Sequence, residues 1–305
     1  MLWVIAAAGL ILVSVLIYFF SHNLAGLDAQ LQSLIPNLIY YLPFVALPVY
    51  LLARRKPGMW EAYRPYPVSL LSTLSIVSLA LLGVFFTTDL TALWAIPLEA
   101  LGFNVSGASV AVPTTAPGLA LCVFYVAVLP GVCEEFLFRG AILSAFERGG
   151  TRRAVLVAAA LFVLLHGSLT GLPAQFLLGL IMGWLVVCCN SIYAGLIYHT
   201  THNAASVILQ FVISRSASGA AEGSSRMIDA VGGPAGVAQL LIELAVMGAM
   251  ILFTLRMFRM TAPLRGAEFV PDRHDRLRKG EWALLIVGLI FVGLLYGSDI
   301  FGMLS

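Results

Sequence analysis

Along this chain, apolar residues gather in long blocks, and polar and basic residues are confined to the gaps between them. Nine such segments run roughly 1–20, 34–53, 68–87, 118–147, 154–169, 173–189, 192–213, 235–257 and 282–303. A block of about 20 apolar residues is the length of a membrane-crossing helix. The pattern therefore predicts an all-α, polytopic transmembrane helix bundle of about nine spans. The first segment has no basic stretch before it and is nearly twice a signal-peptide core, so it reads as an anchor that stays. The segments 154–169 and 173–189 are short for full crossings and read equally as a buried hairpin.

The gaps set an orientation. Fourteen of the 17 lysines and arginines fall in three clusters: Arg54, Arg55, Lys56 and Arg64; Arg148, Arg152 and Arg153; and Arg256, Arg259, Arg265, Arg273, Arg276, Arg278 and Lys279. The positive-inside tendency puts all three in the cytoplasm. An even number of segments separates each pair of clusters, as that placement requires. The expectation is a multi-pass protein of the cell membrane, with its N-terminus cytoplasmic and its C-terminus external. Residues 88–117, with Trp94, Pro97, Pro113 and Pro117, then form an outer loop along the interface. Residues 214–234, rich in Ser, Ala and Gly, form a second, flexible one.

Composition agrees with the pattern. Hydrophobic residues are 60% of 305, charged residues 10%, and the mean hydropathy is +0.97. No soluble globular domain has this balance. A net charge of +2 gives no basis for nucleic-acid binding. Cys122, Cys133, Cys188 and Cys189 all lie in apolar runs without disulfide or zinc spacing, and read as small buried hydrophobes. Asn104-Val105-Ser106 matches a glycosylation acceptor, a triplet common by chance. There is no internal repeat of the kind many transporters carry.

Against this background the stretch GVCEEFLFRG, residues 131–140, stands out. A charge at mid-membrane costs about 2.5–3.5 kcal/mol on insertion scales and usually faces the protein interior with a partner. Glu135 and Arg139 are four apart, on one helical face, with the acid first, and are expected to pair. Glu134 points about 100° away and keeps no local counter-ion. Pro130 favours a kink just before it, and Gly131 permits close approach of a neighbour. Two further segments carry polar residues at helical spacing. LFVLLHGS places Phe162 four before His166, and LIYHTTHNAAS places His199 four before Asn203. A lone histidine in an apolar helix is more often a hydrogen-bonded core residue. Three of the five histidines in membrane segments, beside an unpaired glutamate, favour a site instead. Such a set can activate water and stabilise an oxyanion.

These three motifs, Glu134-Glu135 with Arg139, Phe162 with His166 and His199 with Asn203, resemble those of the CAAX protease and bacteriocin-processing family of intramembrane proteases, which includes the Ras-converting CAAX endopeptidase. The resemblance covers residues 118–213. It implies a glutamic-type peptidase with a four-helix catalytic core. Glu134 would be the general base on water and His166 would hold and polarise that water. His199 and Asn203 would donate to the oxyanion, with Glu135, Arg139 and Phe162 in support. His202, directly before Asn203, is an addition to the bare pattern: a supporting residue, a substitute donor in place of Asn203, or a residue that simply packs. The chain then divides into N-terminal transmembrane helices and outer loop (1–117), catalytic core (118–213), and flexible loop with C-terminal helices (214–305).

The implied substrate is a membrane-associated protein or peptide in the lipid bilayer, and the implied chemistry needs no cofactor or metal. A zinc protease ligated by Glu134, His166 and His199 is the nearest alternative, although the His-Glu-x-x-His helix is absent. A proton-coupled transporter and a non-catalytic scaffold or immunity protein are the others. SASG at 216–219 echoes a serine-protease motif but lies in a polar stretch. Glu243 reads as a structural hydrogen-bonding residue in the membrane, and Asp299 as interfacial.

Overall fold

The computed structural model describes residues 32, 34, 36, 38–42, 44–46, 61, 63–105, 112–216, 226–261 and 279–304. The segment 1–20, half of 34–53, Arg54, Arg55, Lys56, Arg265, Arg273, Arg276 and Arg278, Ser106, and residues 217–219 of SASG lie outside these residues.

All regular structure among the described residues is helical. Helix α1 spans Leu70–Ala100. Helix α2, Ala116–Phe146, is one continuous apolar rod of 31 residues in which α-helical and π-helical turns alternate. Then follow α3 (Thr151–His166), α4 (Leu172–Cys189), α5 (Ile192–Ser216), α6 (Gly233–Thr261) and α7 (Lys279–Leu304). By length and composition, four of these can cross a membrane: α1, α2, α4 and α6. The count of nine spans is not confirmed. At 16 residues α3 falls below the usual length, and the polar residues of α5 dilute its hydropathy.

One boundary differs from expectation. Residues 88–100, predicted as outer loop, continue α1. The polar run Thr87-Thr88-Asp89 looks like a helix end, but the Thr88 hydroxyl donates back to the Val84 carbonyl at 2.8 Å. A threonine so bonded keeps the helix going without water. Trp94 is half-buried in the bundle. Its indole N–H donates to the Leu169 carbonyl at 2.9 Å, tying α1 to the α3–α4 turn.

The helices run between two ends, which contacts across the loops define. At one end Arg64 pairs with Glu147, the Ser191 hydroxyl donates to the Tyr66 carbonyl, and Ile192 N–H donates to the Arg64 carbonyl. At the other, Trp94 meets Leu169, Leu169 N–H donates to Asp299, and Met227 N–H donates to Glu99. Helix α3 therefore travels from the Arg64 end to the Trp94 end, and α4 returns. The turns are shaped by left-handed residues after each helix, Gly167 (φ 60°) after α3 and Asn190 (φ 47°) after α4.

Polarity is arranged inside out. Glu134, Glu135, Arg139, Ser191, His199 and His202 are buried, while Leu74, Phe85, Ile242 and Phe253 are more than half exposed. Lipid accepts exposed apolar side chains, and polar groups in it must find partners within the bundle. The core around α2 is aromatic and aliphatic, with Phe138, Phe162, Ile76, Leu79 and Tyr198 at its centre.

Candidate active site

Helix α2 builds the centre of the site. Pro130 has no N–H to return to the Val126 carbonyl four residues earlier, so a regular α-turn cannot close there. The chain answers with a π-helical turn over Phe124–Val128, and a second π-helical stretch covers Phe136–Leu143. The two bracket the short α-helical piece Leu129–Glu135, which carries both glutamates. Such bulges recur at functional sites because they re-aim side chains. Where the sequence favours a kink, the structure has this π-helical turn.

Glu135 and Arg139 form the expected pair. Arg139 Nη1 donates to Glu135 Oε1 at 2.7 Å, with both side chains fully buried. Arg139 Nη2 also donates to the Gly179 carbonyl of α4 at 3.1 Å. Gly179 permits this because α4 there lies against Ala159 of α3 so closely that a Cβ would come within 3.0 Å of the Ala159 Cα. The guanidinium carbon sits 4.7 Å from the Phe162 ring centroid, a cation–π distance. Phe162 also packs at 4.5 Å on the His166 ring and 5.9 Å on the His199 ring. It is the shared wall of the site, which explains its place in the motif.

The two histidines are oriented by their Nδ1 atoms. His166 Nδ1 is 2.8 Å from the Phe162 carbonyl, and His199 Nδ1 is 3.1 Å from Glu135 Oε1. Both partners only accept, so each imidazole carries its proton on Nδ1. Both Nε2 atoms then face one oxygen: Glu134 Oε2 lies 3.8 Å from His166 Nε2 and 3.9 Å from His199 Nε2. These gaps are too long for direct hydrogen bonds and fall in the range in which a bridging water joins polar groups. Glu134 Oε2 is buried without a hydrogen-bond partner of its own. The other oxygen, Oε1, accepts from the Tyr41 phenol at 3.0 Å.

Asn203 stands one turn beyond His199 on α5 and is held otherwise. Its Nδ2 donates at 3.1 Å to the Val126 carbonyl, the oxygen that Pro130 leaves without its α-helical donor. Its Oδ1 lies 3.3 Å from His202 Nδ1. His202 Nε2 lies 3.1 Å from the Thr87 hydroxyl oxygen of α1, which itself donates to the Gly83 carbonyl at 2.8 Å. The added histidine thus links Asn203 to α1, a supporting place rather than a substitute for Asn203.

Glu134, His166 and His199 therefore converge, Glu135, Arg139 and Phe162 surround them, and His202 ties in Asn203. Sequence reasoning did not find Tyr41, Thr87 or Gly195. Gly195 packs so tightly on Glu135 that a Cβ would overlap its Oε2. Nothing local marks these residues; a tyrosine in LIYYLPF or a glycine in IYAGL is ordinary in a membrane helix. Glu243 accepts from Gln239 at 2.8 Å, in keeping with a hydrogen-bonding role. Asp299 is engaged rather than merely interfacial, since it caps the Leu169 N–H at 2.8 Å.

Ionisable groups enclosed in an apolar helical bundle are costly, and in membrane proteins such groups face the bundle interior and pair with one another. Residues 116–205 match the family model of type II CAAX prenyl endopeptidases, Rce1-like. No curated protein and no solved structure matches the chain. The matched segment contains every motif residue from Glu134 to Asn203. Tyr41, Thr87, Trp94 and Asp299 lie outside it.

Proposed function

We propose that this protein is an intramembrane endopeptidase that hydrolyses a peptide bond of a membrane-associated protein or peptide with a glutamate-activated water. The observation that carries this reading is the convergence of His166 Nε2 and His199 Nε2 on the partnerless Glu134 Oε2, at 3.8 and 3.9 Å. A water in that gap gives one hydrogen to Glu134 Oε2 and a second to the His166 Nε2 lone pair. As its oxygen forms a bond to the scissile carbonyl carbon, the first proton moves to Glu134. The carbonyl π-bond opens to an oxyanion. When the C–N bond breaks, the proton passes from Glu134 to the leaving amine, and the carboxylate is restored.

The oxyanion is met from α5. Asn203 commits one N–H to Val126 and keeps the second for the substrate. With Glu135 accepting its Nδ1 proton, His199 turns Nε2 toward the oxyanion and donates from there when both ring nitrogens carry protons. Glu135, neutralised in part by Arg139, is a positioning residue. The Arg64–Glu147 end of the bundle, next to Arg148, Arg152 and Arg153 in the chain, faces the cytoplasm, and the Trp94 end with the C-terminus faces outside.

The test uses purified protein in detergent or vesicles and a farnesylated peptide bearing a CAAX box between fluorophore and quencher. Glu134→Gln is expected to lower kcat at least a hundredfold while the protein stays folded. Near-wild-type cleavage by Glu134→Gln would sink the glutamate reading. Proteins that accumulate uncut when Glu134→Gln replaces the wild type identify the substrate.

A further inference from the structure

We infer that Tyr41, contributed by a helical segment outside the CAAX-protease-like region, is the residue that fixes which oxygen of Glu134 faces the reaction; the inference rests on Glu134 being the base. The Tyr41 phenol is 8% exposed and donates to Glu134 Oε1 at 3.0 Å across 93 residues of sequence. The opposite oxygen, Oε2, faces both histidine Nε2 atoms and has no partner. A carboxylate turns readily about its last bond. One donor on one oxygen ends that freedom and leaves the other oxygen's lone pairs for water.

The donor is itself rigidly placed. The Tyr41 ring packs edge-on against Tyr40 (centroids 5.0 Å, planes at 89°) and against Phe44 at 5.4 Å. Phe44 in turn meets Phe138 at 6.5 Å, and Phe138 meets Phe162 edge-on at 5.2 Å. An aromatic chain therefore runs from Tyr41 to the ring that walls both histidines. The hydroxyl arrives at Glu134 on a fixed lever, not on a free side chain. A buried carboxylate with neither oxygen satisfied is costly. Tyr41 relieves that cost on one oxygen without blocking the other. The site is accordingly incomplete with residues 116–205 alone, because its base is oriented from the N-terminal part of the chain.

The test is Tyr41→Phe in the full chain, assayed on the farnesylated CAAX peptide beside wild type and Glu134→Gln. Loss of a hydrogen bond to a charged group is expected to lower kcat roughly ten- to hundredfold. KM is expected to stay unchanged and the thermal midpoint to fall modestly, because Glu134 Oε1 loses its donor; a kcat loss in folded, monodisperse protein at unchanged KM separates orientation from packing. Tyr41→Phe with wild-type kcat, in a preparation where Glu134→Gln is inactive, overturns the inference and leaves the glutamate mechanism standing. Active Glu134→Gln overturns the mechanism. A second readout needs no substrate: the infrared carboxylate band that disappears in Glu134→Gln is expected to shift in Tyr41→Phe. An unshifted band overturns the inference whatever the peptide does.

Discussion

Arg139 shows what a single buried charge can hold together. It is fully buried, bonds Glu135 and the Gly179 carbonyl, and lies over Phe162. Arg139→Ala leaves Glu135 buried without its cation, and breaking such a pair costs about 3–5 kcal/mol. We expect the variant to lose most of its folded protein, measured as monodisperse yield and thermal midpoint; a folded, fully active variant would contradict this. Gly195→Ala approaches the same carboxylate from the opposite side. The added Cβ overlaps Glu135 Oε2 and comes within 2.9 Å of Val186. Overpacking of this kind costs about 1–3 kcal/mol. Here it also pushes Glu135 away from His199, so activity should fall along with the midpoint, and wild-type values of both would show that the contact is harmless.

Helix α2 is the element on which function turns, because its regularity is interrupted on purpose of geometry rather than of stability. Pro130 frees the Val126 carbonyl, the π-turn over Phe124–Val128 accommodates the missing bond, and Asn203 takes the oxygen. Pro130→Ala restores an N–H that competes with Asn203 for Val126. Alanine is about 3 kcal/mol better than proline in a helix interior. The expected outcome is a protein at least as stable as wild type and about tenfold slower in peptide cleavage. Unchanged activity would mean that Asn203 does not depend on this carbonyl. Pro130 was legible in the sequence as a kink, and Asn203 as a site residue. Their connection was not, since 73 residues separate them and only the packing of α5 on α2 brings them together.

At the scale of the whole molecule, the bundle gathers polar groups from α1, α2, α3, α5 and the N-terminal helical segment into one interior. This bears on metal use. If Glu134, His166 and His199 served as zinc ligands, proton transfer would fall to Glu135. That carboxylate is fully buried and already bound on Oε1 by both Arg139 and His199. Catalysis is therefore expected to survive exhaustive chelation, checked by peptide cleavage together with direct metal analysis. Stoichiometric zinc, with activity lost on removal and restored on addition, would replace the glutamate mechanism with a metal-dependent one.

The sequence by itself determined the helical membrane class, because blocks of apolar residues of spanning length have few other uses. It also determined the motif residues, because a charge in such a block is too costly to be incidental. The Glu135–Arg139 pair was readable too, since both lie one turn apart on a single helix. What only the tertiary structure decided are the relations between helices. That Glu134 Oε2 faces both histidines, that Tyr41 holds the other oxygen, and that Thr87 and His202 steady Asn203 all depend on how separate helices rotate and pack. Even the end of α1 was hidden, because a threonine that bonds its own backbone looks the same in sequence as one that turns the chain to water. Hydropathy fixes that a helix crosses; in lipid it gives almost no information about which side faces which neighbour, because the helix is apolar all round and the choice is left to small residues, buried polar pairs and shape.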